Sequence, residues 1–124
     1  MLKYILSISL VIALAGCCAT NYSSQMKEIL KPMEKELIAF YKKNNRYPTT
    51  AEHYKLLEKV GCKIVNNKCL YKGNKFDIEI PRHANGGNIG LLKGNSDCYI
   101  SLTDGKKDIF NCHHKSCFDL GLRQ

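Results

Sequence analysis

"CKIVNNKCLYKGNKFDIEIP", residues Cys62 to Pro81, is where the chain changes its period. Upstream, apolar residues return every three or four positions, as on one face of a helix; here they alternate, as on one face of a strand. Cys62 to Tyr71 reads as a hairpin about Asn66-Asn67, two residues that tolerate positive φ. Phe76, Ile78 and Ile80 then point one way and Asp77 and Glu79 the other, with Pro81 closing the strand. Downstream, "RHANGGN" (82–88) reads as a loop and "IGLLK" (89–93) as a strand. "CYISLTDGKKDIF" (98–110) reads as a second hairpin turning at Asp104-Gly105.

Upstream, Met26, Ile29, Leu30, Met33, Leu37, Phe40 and Tyr41 form the stripe of an amphipathic helix that ends at Asn44 and Asn45. Lys27, Glu28, Lys31, Glu34, Lys35 and Lys42 lie off the stripe, where Glu28 and Glu34 gain weak support from lysines one turn away. Pro32 either kinks this helix or marks its true start. Thr49 with Glu52 fits a capping box, which starts a short second helix over about Thr50 to Val60, with Gly61 as its stop. His53 falls in its first turn and is expected at the surface. The expectation is an α+β fold: both helices packed on one face of a four- to five-stranded antiparallel sheet.

The first residues have another character. Lys3, the apolar run Tyr4 to Leu14 and the small residues Ala15 and Gly16 make up a secretory signal. The run is shorter than the roughly 20 residues a bilayer span needs. Leu14-Ala15-Gly16-Cys17 resembles the lipobox of bacterial lipoproteins. That resemblance implies a cut after Gly16, a diacylglycerol thioether on Cys17 and a further acyl chain, a durable anchor where one chain would be marginal. With no Asp after Cys17, the chain resembles lipoproteins sorted to the outer rather than the inner membrane. The organisation expected is a signal peptide over 1–16, a lipidated Cys and tether over 17–24, and one exported domain over 25–124 that faces the periplasm.

The chain has 124 residues, 19 Lys and Arg against 11 Asp and Glu, and a net charge of +8. A basic surface of that kind meets anionic lipid, polysaccharide or nucleic acid, or serves solubility alone. Seven cysteines in an exported chain point to disulfides. With Cys17 lipidated, Cys62, Cys69, Cys98, Cys112 and Cys117 are the pairing candidates, and Cys18 is the odd one out. Cys62 and Cys69 flank the first hairpin, but a strict two-residue turn sets Ile64 opposite Cys69, so a bond there asks for a wider or shifted loop. Cys98 and Cys112 oppose one another if the second hairpin has a three-residue loop. Alternatively, Cys112 and Cys117 close the "CHHKSC" loop.

"CHHKSC" holds zinc-type donors, yet His113 and His114 would point apart in extended chain, and the spacing is not that of a closed site. No metal, cofactor or catalytic residue is expected: the chain lacks a G-x-S-x-G elbow, H-E-x-x-H, C-x-x-C-H and a phosphate-cradling Gly loop.

"LIAFYKKNNRYPTTAEHYKLL", Leu37 to Leu57, is similar to the junction in type IV pilins and type II secretion pseudopilins. There a long helix ends in a polar turn, a Tyr-Pro step follows, and a short helix with a Leu pair leads into the sheet. Tyr47, Pro48, Leu56 and Leu57 carry the match. Since a lipobox cut discards the hydrophobic first segment, the resemblance implies a pilin-like globular head on a lipid leash. The function expected is a membrane-anchored binding or assembly module with an envelope protein partner, its candidate surface being Arg82, His83 and Lys115. The alternative is a basic module that holds polyanion such as DNA or envelope polymer; a thiol-redox or metal-handling role comes third.

Overall fold

The structure, a computed structural model, describes residues 20–81 and 86–115. Its first helix, α1 (Ser23–Asn44), buries Met26, Ile29, Leu30, Met33 and Leu37 completely. Each such side chain is worth about 1.5–3 kcal/mol of transfer free energy. The stripe stops there. Phe40 and Tyr41 are half-buried, and Phe40 lies outside the core with the Arg46 guanidinium 5.1 Å from its ring centroid. Pro32 lies well inside the helix, so it does not mark the start. It leaves the Glu28 carbonyl without its i+4 donor, a cost the buried stripe outweighs. Asn45 caps the end in the left-handed region, φ 54°, its N–H donating to the Tyr41 carbonyl at 2.7 Å.

The second helix, α2 (Thr50–Lys59), starts at the expected capping box: Glu52 N–H donates to Thr49 Oγ1 at 3.2 Å, and Thr49 N–H to Glu52 Oε1 at 3.0 Å. Arg46 grips both oxygens of Glu52, at 2.8 and 3.2 Å, holding its carboxyl down at about 2 with help from the Thr49 N–H. After α2, Gly61 takes φ 116° and the Cys62 N–H returns to the Leu57 carbonyl at 2.9 Å, which turns the chain sharply into the sheet.

Six antiparallel strands follow in chain order: β1 (Lys63–Val65), β2 (Lys68–Tyr71), β3 (Asn74–Glu79), β4 (Gly86–Lys93), β5 (Ser96–Thr103) and β6 (Lys106–His114). The four- to five-stranded expectation is corrected to six among the described residues, because both hairpins join one meander through β3 and β4. The loop expected over 82–88 ends earlier than that, since β5 supplies partners for β4 from Gly86 onward. Likewise "NCHH" belongs to β6, paired with β5 as far as Ser96.

Positive φ at both turn residues sets two of these hairpins, at Asn66-Asn67 (51° and 61°) and Asp104-Gly105 (50° and 74°). That twist matches the flanking strands. Phe76, Ile89, Leu91, Ile100 and Leu102 face the helices and are fully buried. Between the layers, the Tyr47 ring lies flat on Gly87, where a Cβ would come within 2.5 Å of it, and its hydroxyl accepts from the Gly105 N–H at 2.8 Å. The Tyr-Pro step therefore clips the helix junction to the tip of the β5–β6 hairpin.

Candidate functional site

Two cystines fix the sheet. Cys62–Cys69 forms although the turn has two residues and Ile64 does oppose Cys69. The expected wider loop is unnecessary: Cys62 precedes β1, and the Gly61 turn swings its Cα to 5.2 Å from that of Cys69. Cys98–Cys112 joins directly opposed residues with Cα atoms 4.0 Å apart. The expected three-residue loop is replaced by a two-residue turn plus a bulge, in which Leu102 pairs with Lys107 but Ser101 with Ile109. A Cys112–Cys117 loop is thereby overturned. Cys17, Cys18 and Cys117 lie outside the described residues.

The same bulge decides which side chains meet the helix. Without it Ile109 would oppose Ile100; with it Phe110 does, facing α1, while Ile109 turns outward and is 51 % exposed. Lys107 shares the helix-facing side with Phe110, its Nζ 5.8 Å from the ring centroid. On α1, Lys27, Lys31 and Lys35 recur every fourth residue, one face of the helix at steps of roughly 6 Å. These four lysines, Glu34 and Phe110 line a groove of about 530 Å³ at the α1–β6 seam. On the other flank Lys27 and Lys31 also border a hollow of about 530 Å³ with Ser24, Glu28, Pro32 and Tyr71. Among the described side chains, which do not include that of Asp108, none of the four lysines has a carboxylate within ion-pair distance. Glu28 is engaged elsewhere, by Lys72 Nζ at 2.6 Å, which lowers its pKa. Glu34 keeps one buried oxygen, Oε2, without a hydrogen-bond partner.

The sequence carried a sign of this groove, the K-x-x-x-K-x-x-x-K run, but those lysines read as a solvated face. Their convergence with Lys107 and Phe110 depends on a one-residue bulge that no local pattern announces.

The three described histidines have structural partners. His53, expected at the surface, is 2 % exposed; its Nδ1 donates to the Thr49 carbonyl at 2.9 Å, and burial lowers its pKa. His113 and His114 face opposite sides of β6, as extended chain requires: His113 meets Asp97 at 3.2 Å, and His114 meets the buried Ser96 hydroxyl at 2.9 Å. That hydroxyl also accepts from the Tyr22 N–H at 3.1 Å. On the face away from the helices, Tyr99 donates to Glu79 at 2.9 Å, and burial with that carboxylate raises its phenol to about 12. Among the described residues no group of three or more His, Cys, Asp or Glu could hold a metal ion.

Of the expected interaction surface, Arg82 and His83 lie outside the described residues, while Lys115 is exposed and its N–H donates to the Asn95 carbonyl at 3.0 Å. The chain segments that carry these residues do not meet where they are described: Gly86 pairs with Thr103 at one end of β5, and His114 with Ser96 at the other. Among the described residues no helix is long and apolar enough to cross a membrane. Compared with known protein families, curated proteins and solved structures, the chain matches none of them.

Proposed function

We propose that this protein is a lipid-anchored envelope protein whose α+β domain binds a partner and catalyses nothing. The pair of cystines supports the reading most: four thiols oxidised across two hairpins suit an exported domain. The signal-like start, with Cys17 as the lipid site, supplies the anchor, and the periplasmic side of the outer membrane is the location favoured. The long helix, Tyr-Pro clip, short helix and antiparallel meander follow the order of elements in a pilin-like head. With the α1 stripe consumed by the core, the surfaces left for partners are the edge strands, the loops and the charged side of α1.

Metabolic labelling with a palmitate analogue tests the anchor. Cys17→Ser abolishes labelling and leaves the precursor uncut, whereas Cys18→Ser does neither; label persisting on the Cys17→Ser protein refutes the anchor. The lysine groove favours a second reading, a module that holds polyanion.

A further inference from the structure

We propose that the α1–β6 groove binds a single-stranded nucleic acid, the phosphates tracking Lys27, Lys31, Lys35 and Lys107 and a base stacking on Phe110. This deepens the polyanion reading and rests on it, but it does not need the lipid anchor.

The argument begins with spacing. Successive ladder lysines rise by roughly 6 Å along α1. That step lets successive ammonium groups meet successive phosphates along one strand. What favours a single strand over a duplex is the Phe110 ring beside the lysines, because a base reaches an aromatic platform only when it is out of the duplex stack.

Charge and chemistry follow. Among the described side chains no carboxylate pairs with the four ammonium groups, so their counterions are available for release when a polyanion arrives. The one carboxylate in the lining, Glu34, has an oxygen buried and turned from solvent, and it leaves the groove a net excess of cations. Phe110 is half-buried: one part of its ring packs on the core and the rest faces the groove beside Lys107. A positively charged track with an aromatic platform is the combination that binds single strands without reading their sequence. A phosphate polymer lacking bases would use the lysines and ignore the ring, which separates the two ligands.

The test uses the mature full chain in neutral detergent and a fluorescein-labelled oligothymidylate of about twelve nucleotides. Four lysine contacts give a log K against log salt slope of about −3, so affinity falls about 50-fold between 50 and 200 mM salt. Lys27→Gln/Lys31→Gln/Lys35→Gln/Lys107→Gln together should abolish binding. Lys55→Gln/Lys63→Gln/Lys75→Gln/Lys106→Gln, with the same charge change on exposed sites elsewhere, should retain the greater part of it. Phe110→Leu keeps apolar volume against the core but removes the ring; it should weaken oligothymidylate roughly 10-fold and leave competition by inorganic polyphosphate unchanged. Circular dichroism and the two cystines check that each variant is folded. Equal losses in the two quadruple variants, or no binding at low salt, overturn the groove assignment. Undiminished oligothymidylate binding in Phe110→Leu overturns the nucleic-acid assignment. None of these outcomes bears on acyl labelling at Cys17, so the anchor and the groove stand or fall separately.

Discussion

The two halves of the sheet are held by different means. In the β4–β6 half the strands run eight, eight and nine residues, with α1 packed on β5 and β6; in the β1–β3 half they run three, four and six, with α2 packed at β1. Each half has one cystine. Cys98–Cys112 ties residues that the ladder already opposes, inside two long strands and two residues from their ends. Cys62–Cys69 reaches past the end of β1, where only three residue pairs join β1 to β2. The first reinforces a register. The second stands in for a strand too short to hold itself.

The core should show the contrast most strongly. Leu37→Ala removes a side chain fully buried under α1 and should cost about 2–5 kcal/mol in urea unfolding monitored by circular dichroism. Phe40→Ala, three residues on, should cost about 1 kcal/mol, because its ring stacks on Arg46 outside the core and its site opens to solvent rather than leaving a cavity. A Phe40 variant as unstable as the Leu37 variant would show that the stripe continues to the end of the helix.

The cystines come next in size. Closing the longer loop, with a separation of 14 residues, is worth about 3 kcal/mol in chain entropy, and the shorter, with a separation of 7, about 2.5 kcal/mol. Where the loss is felt distinguishes them better than its size. Cys98→Ala/Cys112→Ala should raise hydrogen exchange throughout the β4–β6 ladder only by lowering global stability. Cys62→Ala/Cys69→Ala should open β1 and its turn locally, with exchange of Lys63 to Val65 rising well above that of β5. Uniform exchange changes in both variants would mean that the halves unfold as one and the contrast in support is spurious.

How far these features were legible follows from the range of the physics behind them. Period and capping are local, so the stripe from Met26 to Leu37, the Thr49–Glu52 box and the turns at Asn66 and Asp104 are written in neighbouring residues. Phe40 and His53 are not: the first is periodic yet misses the core because Asn45 and Arg46 turn the chain away, and the second is polar yet buried by the packing of α2. The bulge between the Ser101–Ile109 and Leu102–Lys107 pairs depends on which register lets Cys98 meet Cys112 and Phe110 meet α1. The lysine groove inherits that dependence. Lys27, Lys31 and Lys35 are plain in the sequence, whereas the arrival of Lys107 beside them is a consequence of tertiary pairing.

The smallest effect, a pH dependence, singles out the α2 side of the molecule. Burial favours the neutral form of His53 in the folded protein: Nδ1 donates to the Thr49 carbonyl, and Nε2 is buried without a partner among the described residues. Protonating Nε2 would bury a charge and an unanswered donor, so burial lowers the folded-state pKa below the ordinary value of 6.5. Between those two values the unfolded chain binds more protons than the folded one, so stability rises with pH there and is lost on acidification below about 6.5. The loss levels off once the folded-state pKa is passed. Urea midpoints at pH 7.5 and pH 5.5 should therefore differ for the wild type, by less than either cystine variant shifts them. His53→Gln keeps a polar side chain of similar size without a titration in this range, and should lower stability at both pH values while flattening the difference. The carboxylates held down by partners, Glu28 and Glu52, lose their contribution only at lower pH, as acid takes them from above their usual 4.5 down through their folded values. A pH 7.5 to 5.5 difference that survives in His53→Gln would place the titrating group elsewhere and leave the buried imidazole a spectator.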